Sequence, residues 1–73
     1  TSLGAFLVTS QFVLLYIDYL RPRFEFVFPN SETIQEAATK YISGNALVDP
    51  EAFSRVNRKL LRVVHKRCQW EED

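Results

Sequence analysis

The sequence predicts a two-layer α+β domain in which an antiparallel β-hairpin packs against helices, with the element order α-β-β-α-α. Three observations lead to this prediction. Residues 49–68, DPEAFSRVNRKLLRVVHKRC, have the period of an amphipathic helix with one apolar and one basic side. Residues 12–19 and 23–28 are rich in β-branched and aromatic side chains and are separated by a short turn. The stretch between these regions has a second helical period.

The length and composition indicate one small globular domain. The chain has 73 residues, of which 47% are hydrophobic and 25% are charged. Residues 1–73 are therefore predicted to form a single α+β domain, with an acidic C-terminal tail at residues 70–73. A chain this short buries only about 60% of the surface that it exposes when unfolded. We therefore expect it to gain stability from a partner or from a second copy of itself.

The sequence predicts a cytoplasmic protein without a membrane partner. The single cysteine, Cys68, cannot form an intramolecular disulfide, which favours a reducing compartment. The apolar-rich residues 3–17 are interrupted by polar side chains and are shorter than the roughly 20 residues that span a bilayer. They also lack the positively charged start and the cleavage site of a signal peptide.

Residues 1–10 are predicted to form a short helix with Ser2 near its start. Its apolar side chains repeat at i, i+3 and i+4: Leu3, Phe6 and Leu7. Gly4 lowers the helix propensity of this segment, so an extended conformation remains the alternative. The polar residues 10–11 end the element.

Residues 12–19 and 23–28 are predicted to pair as an antiparallel hairpin, which ends at Pro29 because proline cannot donate to the ladder. Side chains alternate along a strand, so one face carries three phenylalanines and is the expected core face. This core face comprises Leu15, Ile17, Phe24, Phe26 and Phe28. The opposite face comprises Leu14, Tyr16, Asp18, Arg23, Glu25 and Val27.

The next helix is predicted to start at an N-cap, Asn30 or Ser31, and to run to about Ser43. Gly44 suits the left-handed residue just after the helix end. The apolar positions of this helix are Ile34, Ala37, Ala38, Tyr41 and Ile42. The connection that follows is expected to turn its apolar side chains inward: Ala46, Leu47 and Val48.

The last helix is predicted from its start signals and from its two sides. Asp49 suits the N-cap and Pro50 suits the first helical position. The apolar side comprises Ala52, Phe53, Val56, Leu60, Leu61, Val63, Val64 and Cys68. The basic side comprises Arg55, Arg58, Lys59, Arg62, His65 and Lys66. Asn57 lies among the apolar residues, and we expect its amide to bond to neighbouring backbone.

Residues 44–50 read Gly-Asn-Ala-Leu-Val-Asp-Pro and are followed by Phe53 near the start of the last predicted helix. Further matching segments are Thr1-Ser2, Phe12 and Phe26-Val27-Phe28. Together these segments resemble a small family of uncharacterised bacterial and phage domains of unknown function, in which a Lys-Gly turn is usual where this chain has residues 10–11. The resemblance implies the fold described above, a prokaryotic or mobile-element origin and a cytoplasmic location. It implies no activity, cofactor or catalytic residue.

The residue types present disfavour catalysis and metal binding. His65 and Cys68 are about one helical turn apart, but structural zinc needs four protein ligands and catalytic zinc usually needs three. No Ser-His-Asp spacing, glycine-rich phosphate loop or paired-carboxylate site is visible in the sequence. We therefore predict a protein that is not an enzyme and that uses no cofactor, no metal and no small-molecule substrate.

Two surfaces are candidate binding sites. The basic side of the last helix suits nucleic acid or an acidic partner, and the plainer alternative is a solvated helix face. Its candidate residues are Arg55, Arg58, Lys59, Arg62 and Lys66. The second face of the hairpin suits self-association by edge-to-edge pairing across a two-fold axis, unless the N-terminal segment covers that face. Its candidate residues are Leu14, Tyr16 and Val27.

The predicted function is a small non-catalytic binding or assembly module that acts through protein–protein contacts and forms a homo-oligomer. Nucleic-acid binding through the basic helix face is the alternative. The formal net charge is zero, so no overall field draws the protein towards nucleic acid.

Overall fold

The computed structural model describes residues 2–71 of the chain. The described part contains three helices and one two-stranded antiparallel sheet. In chain order these elements are α1 (Ser2–Thr9), β1 (Tyr16–Asp18), β2 (Glu25–Val27), α2 (Glu32–Ile42) and α3 (Pro50–His65). The α+β class and the order α-β-β-α-α are therefore confirmed. Three positions named above, Thr1 in the first predicted helix and Glu72 and Asp73 in the acidic tail, lie outside the described residues.

Helix α1 is the most buried element of the fold. Ala5, Phe6 and Leu7 are almost entirely shielded from solvent, and the helix packs against both α2 and α3. The Phe6 ring stacks on Tyr41 of α2, with 4.8 Å between the ring centroids. Gly4 lies against β2, because a Cβ built at Gly4 would be only 2.4 Å from Cδ2 of Phe26. The glycine that lowers the helix propensity is therefore required by the close packing of helix and strand.

The core forms where α1, the hairpin and α3 meet. Its central cluster comprises Ala5, Leu14, Ile17 and Leu60. Partly buried apolar side chains surround this cluster: Val8, Tyr19, Phe24, Phe26, Phe28, Phe53, Val56, Val63, Val64 and Trp70. The prediction that the three phenylalanines and Ile17 lie on the core face is confirmed.

The first strand departs from the predicted alternation. Leu14 is 6% exposed and belongs to the core, whereas Leu15 is 54% exposed, so both predicted positions were wrong. The reason is a bulge-like irregularity: Tyr16 pairs with Val27, and the Leu15 N–H also donates to the Val27 carbonyl at 2.8 Å. Two successive residues thus oppose one residue of β2, and the inward and outward positions shift by one before the strand begins.

The three helices end in the same way, with a residue in the left-handed region. These residues are Gln11 at φ 72°, Gly44 at φ 81° and Arg67 at φ 54°. In each case the next N–H bonds back across the last turn: Phe12 to Leu7, Asn45 to Lys40 and Cys68 to Val63. The expected role of Gly44 is confirmed. Gln11 adopts a conformation that favours glycine.

The start of α2 agrees with the prediction, but its C-terminal side does not. The Ser31 side chain caps the helix by accepting a hydrogen bond from the Ile34 N–H at 3.2 Å. Ile42 is largely exposed, although its neighbour Tyr41 in the same last turn stacks on Phe6 of α1. Leu47 is 97% exposed, so the expectation that it packs inward was wrong.

Helix α3 begins as predicted, with Asp49 at the N-cap and Pro50 in the first turn. Its two leucines differ, since Leu60 is 0% exposed whereas Leu61 is 48% exposed at the margin of the apolar side. The helix ends at His65, so Cys68 lies beyond it and is exposed rather than aligned with the apolar side.

Asn57 also departs from its predicted role. Its Oδ1 atom is buried, and among residues 2–71 it accepts no hydrogen bond. The expected bond from the backbone to this oxygen is therefore not formed.

Candidate interaction surfaces

An open groove of about 550 Å³ lies on the exposed side of α3. Its lining residues are Arg55, Arg58, Leu61 and Arg62, and we call it the arginine groove. The arginines follow each other at intervals of three and four residues, so their Cα atoms lie on one side of the helix over a length of about 10 Å. The structure thus brings three of the five predicted basic site residues into one surface.

The guanidinium groups of the arginine groove have no carboxylate partners within the described part of the chain. The ion pair found among residues 2–71 joins Arg21 and Glu25, 3.7 Å apart in the hairpin, with both side chains exposed. The three arginine side chains of the groove are themselves exposed to solvent. Their charges are therefore available to an external anion.

Lys59 and Lys66 lie outside the arginine groove. The Lys59 Nζ atom lies 4.6 Å from the centroid of the Trp70 ring and donates a hydrogen bond to the Glu71 carbonyl at 3.2 Å. Lys59 therefore holds the C-terminal segment against α3, partly through a cation–π contact. Lys66 is exposed at the C-cap of α3.

Two of the three residues predicted for the second face of the hairpin lie on that face. Tyr16 and Val27 are directly opposite each other in the ladder and therefore share one face. Leu14 does not belong to this face, because it lies in the core. Val13 and Leu15 are instead half-exposed next to Tyr16. We call Val13, Leu15, Tyr16 and Val27 the hairpin patch.

Sequence reasoning missed Val13 and Leu15 because residues 12–15 read Phe-Val-Leu-Leu and contain no polar side chain. Alternation cannot be assigned in a run that is apolar throughout, so only the register with β2 determines which side chains face outward. The bulge-like shift at Leu15 was therefore not visible in the sequence.

The outer edge of β1 is covered by a side chain from the C-terminal segment. The Ile17 N–H donates to Oε1 of Gln69 at 2.7 Å, and Nε2 of Gln69 donates to the Ile17 carbonyl at 2.8 Å. A side-chain amide has the same donor and acceptor as a peptide group, so Gln69 satisfies Ile17 as a neighbouring strand would. From the sequence, two copies are expected to pair edge to edge. At the β1 edge the backbone groups of Ile17 are not available for such pairing, because Gln69 already bonds to them.

Tyr19 and Arg67 hold the same segment against the hairpin. The Tyr19 hydroxyl donates to the Val63 carbonyl at 3.3 Å and also to the Cys68 carbonyl. Arg67 lies over the Tyr19 ring and donates through Nη2 to the Tyr19 carbonyl at 3.1 Å. Burial raises the pKa of Tyr19, the nearby Cys68 side chain raises it further, and the positive charge of Arg67 opposes the shift. Tyr19 therefore stays a neutral hydrogen-bond donor at ordinary pH.

Replacement of Gln69 by leucine is expected to lower the free energy of unfolding by about 1–2 kcal/mol, because two hydrogen bonds to Ile17 are lost. Urea unfolding followed by far-UV circular dichroism measures this change. The matched control is Gln35→Leu, because the Gln35 side chain bonds to Asn30 at an exposed position. Its expected effect is within about 0.5 kcal/mol. Equal effects of the two substitutions would show that the Ile17 contact contributes nothing.

The described residues show no group of three or more His, Cys, Asp or Glu side chains that could hold a metal ion. His65 and Cys68 are both exposed near the end of α3. Within residues 2–71, no helix combines the length and the hydropathy needed to cross a membrane.

Comparison with known proteins adds no evidence about the function of either surface. The predicted resemblance to a bacterial and phage domain family rests mainly on residues 44–50, and it stays a prediction. No protein-family model, no curated protein and no solved structure matches the chain.

Proposed function

We propose that this chain is a small non-catalytic binding and assembly module that acts through protein–protein contacts and associates with a second copy of itself. The observation that carries the proposal is the hairpin patch. Three large side chains within four consecutive residues, Val13, Leu15 and Tyr16, are each about half exposed, and Val27 lies across the ladder from Tyr16. Large apolar side chains exposed near one another in this way are typical of protein interfaces.

The total exposed area supports association. The chain exposes 5535 Å². A folded monomeric protein of this mass is expected to expose about 4,700 Å². The excess is close to the roughly 800 Å² that each partner buries in an interface of standard size. A second copy that covers the hairpin patch and the surface around it would reduce this exposed area.

The geometry of the hairpin favours contact between faces rather than between strand edges. Gln69 already occupies the backbone groups of Ile17 on the outer edge of β1. Tyr16 and Val27 of the hairpin patch lie on the face opposite Ile17 and Phe26, which point into the core. Two copies related by a two-fold axis would place the same patch on each side of the interface. Tyr16 suits such a position, because its ring packs while its hydroxyl stays near water.

Replacement of Leu15 by glutamate is expected to convert a dimer into a monomer, because it places a charge in the centre of the apolar contact. Sedimentation velocity over a range of protein concentrations measures the change. The matched control is Leu47→Glu, which introduces the same charge at a fully exposed leucine in the connection between α2 and α3. The control is expected to remain a dimer.

Circular dichroism distinguishes loss of association from loss of folding. The Leu15→Glu variant is expected to keep its helical signal, because Leu15 lies outside the core cluster. A wild-type protein that stays monomeric at high micromolar concentration would contradict self-association. Equal effects of the Leu15 and Leu47 substitutions would contradict the assignment of the interface to the hairpin patch.

A further inference from the structure

We propose that the arginine groove binds an acidic segment of another protein in which carboxylates flank an apolar side chain. This is a second binding site, separate from the hairpin patch, and it goes beyond self-association. The groove and the hairpin patch share no residue.

The positive charge of the groove is arranged for carboxylates. Arg55, Arg58 and Arg62 project from successive turns of one exposed helix side, without ion pairs to any residue between 2 and 71. Each guanidinium offers two parallel N–H donors, which match the two oxygens of a carboxylate. Acidic side chains spaced along an extended or helical segment can therefore meet the arginines in sequence.

Leu61 gives the groove an apolar component. This leucine is about half exposed and lines the groove together with the arginines. The methylene stems of arginine side chains add apolar surface beside it while their charged ends reach solvent. A partner that carries only negative charge would leave this surface uncovered. A partner with an apolar side chain next to its carboxylates would cover it.

Nucleic acid fits these observations less well than an acidic protein segment. The protein has a formal net charge of zero, so the field around the groove is local. Backbone phosphates are bound through charge and gain nothing from Leu61. Among the described residues that line the groove, none is aromatic, so the groove offers no ring on which an unpaired base could stack.

Fluorescence anisotropy with labelled probes tests the proposal at low and at physiological salt. Two synthetic peptides have equal length and charge. In the leucine peptide glutamates flank a leucine, and in the serine peptide they flank a serine. A single-stranded DNA and a duplex DNA of similar charge serve as competing probes. The leucine peptide is expected to bind the wild-type protein about fivefold more tightly than the serine peptide, because it covers Leu61. Its affinity is expected to fall as salt rises.

Variants assign the binding to the groove. The double substitution Arg58→Gln with Arg62→Gln is expected to weaken binding of the leucine peptide about tenfold, because two charge-assisted contacts are lost. Leu61→Ala is expected to remove the preference for the leucine peptide while binding of the serine peptide is retained. The matched control, Arg21→Gln with Arg23→Gln, removes the same charge from exposed positions in the hairpin turn and is expected to leave binding unchanged.

Three outcomes would overturn the proposal. If either DNA binds more tightly than the leucine peptide, the groove is a nucleic-acid site. An equal loss in the Arg21 and Arg23 control would show that binding depends only on total charge. Absence of peptide binding at low salt would show that the groove is a solvated face. Sedimentation of the Arg58 and Arg62 variant is expected to match wild type, so failure here is distinguishable from failure of self-association.

Discussion

Leu60→Ala is expected to lower the free energy of unfolding by about 2–5 kcal/mol, because it leaves a cavity in the central core cluster. Leu60 is fully buried, and it is the α3 residue in that cluster, together with Ala5, Leu14 and Ile17. A domain of this length has a total stability of about 4–11 kcal/mol. The substitution therefore removes a large share of the stability and is expected to populate unfolded chains at moderate temperature.

Leu61→Ala is the matched control, since it makes the same chemical change at the adjacent position. Leu61 is 48% exposed and lies outside the core cluster, so the expected loss is below about 1 kcal/mol. Urea unfolding monitored by the fluorescence of Trp70, the single tryptophan, compares the two variants. Equal losses would mean that the core does not distinguish the two leucines, which would contradict the packing of α3.

Gly4→Ala is expected to destabilise the protein by roughly 1–2 kcal/mol, although alanine is the better helix former. A Cβ at this position would lie 2.4 Å from Cδ2 and 2.8 Å from Cε2 of Phe26. These atoms belong to a rigid ring packed against the core, so relief requires a shift of the ring or of α1. The cost of overpacking exceeds the helix-propensity gain of about 1 kcal/mol. Thermal and urea unfolding of the variant measure the net change.

A double-mutant cycle with Phe26→Leu shows whether the ring is the cause. In the Phe26→Leu background, Gly4→Ala is expected to cost less or to stabilise, because the smaller side chain leaves room for the added methyl group. Gly44→Ala is the comparison at the other glycine. Its expected cost of about 1 kcal/mol comes from the left-handed backbone alone, since no atom lies within 4 Å of the added Cβ. That cost is expected to be the same in both backgrounds, and additive effects of Gly4→Ala would contradict the steric explanation.

The elements and their order could be predicted because their signals are local. Ser31 and Gly44 delimit α2, and Asp49 and Pro50 start α3, each through a backbone preference that acts within a few residues. The three phenylalanines of the second strand alternate with other residues, so their common side could be assigned without knowledge of the partner. The basic side of α3 was predicted for the same reason, since helical spacing alone gathers Arg55, Arg58 and Arg62.

The residues whose positions differ from the prediction depend on contacts between distant parts of the chain. Leu14 is buried and Leu15 is exposed, the reverse of the prediction, because Leu15 and Tyr16 both lie opposite Val27. A run of apolar residues gives no sign of this irregular pairing. Lys59 resembles its basic neighbours in spacing, yet its contact with Trp70 removes it from the arginine groove. Nothing local distinguishes these residues from their neighbours.

The sequence by itself determined the helices, the hairpin and the separation of apolar from basic side chains on α3, because propensity, capping and periodicity act over a few residues. Only the tertiary structure decided which apolar residues stay exposed and which edge of the hairpin is closed. The clearest case is the pair of hydrogen bonds between Gln69 and Ile17, which are 52 positions apart. Such a contact forms only when the whole chain is folded, because its geometry depends on the packing of α3 against the hairpin.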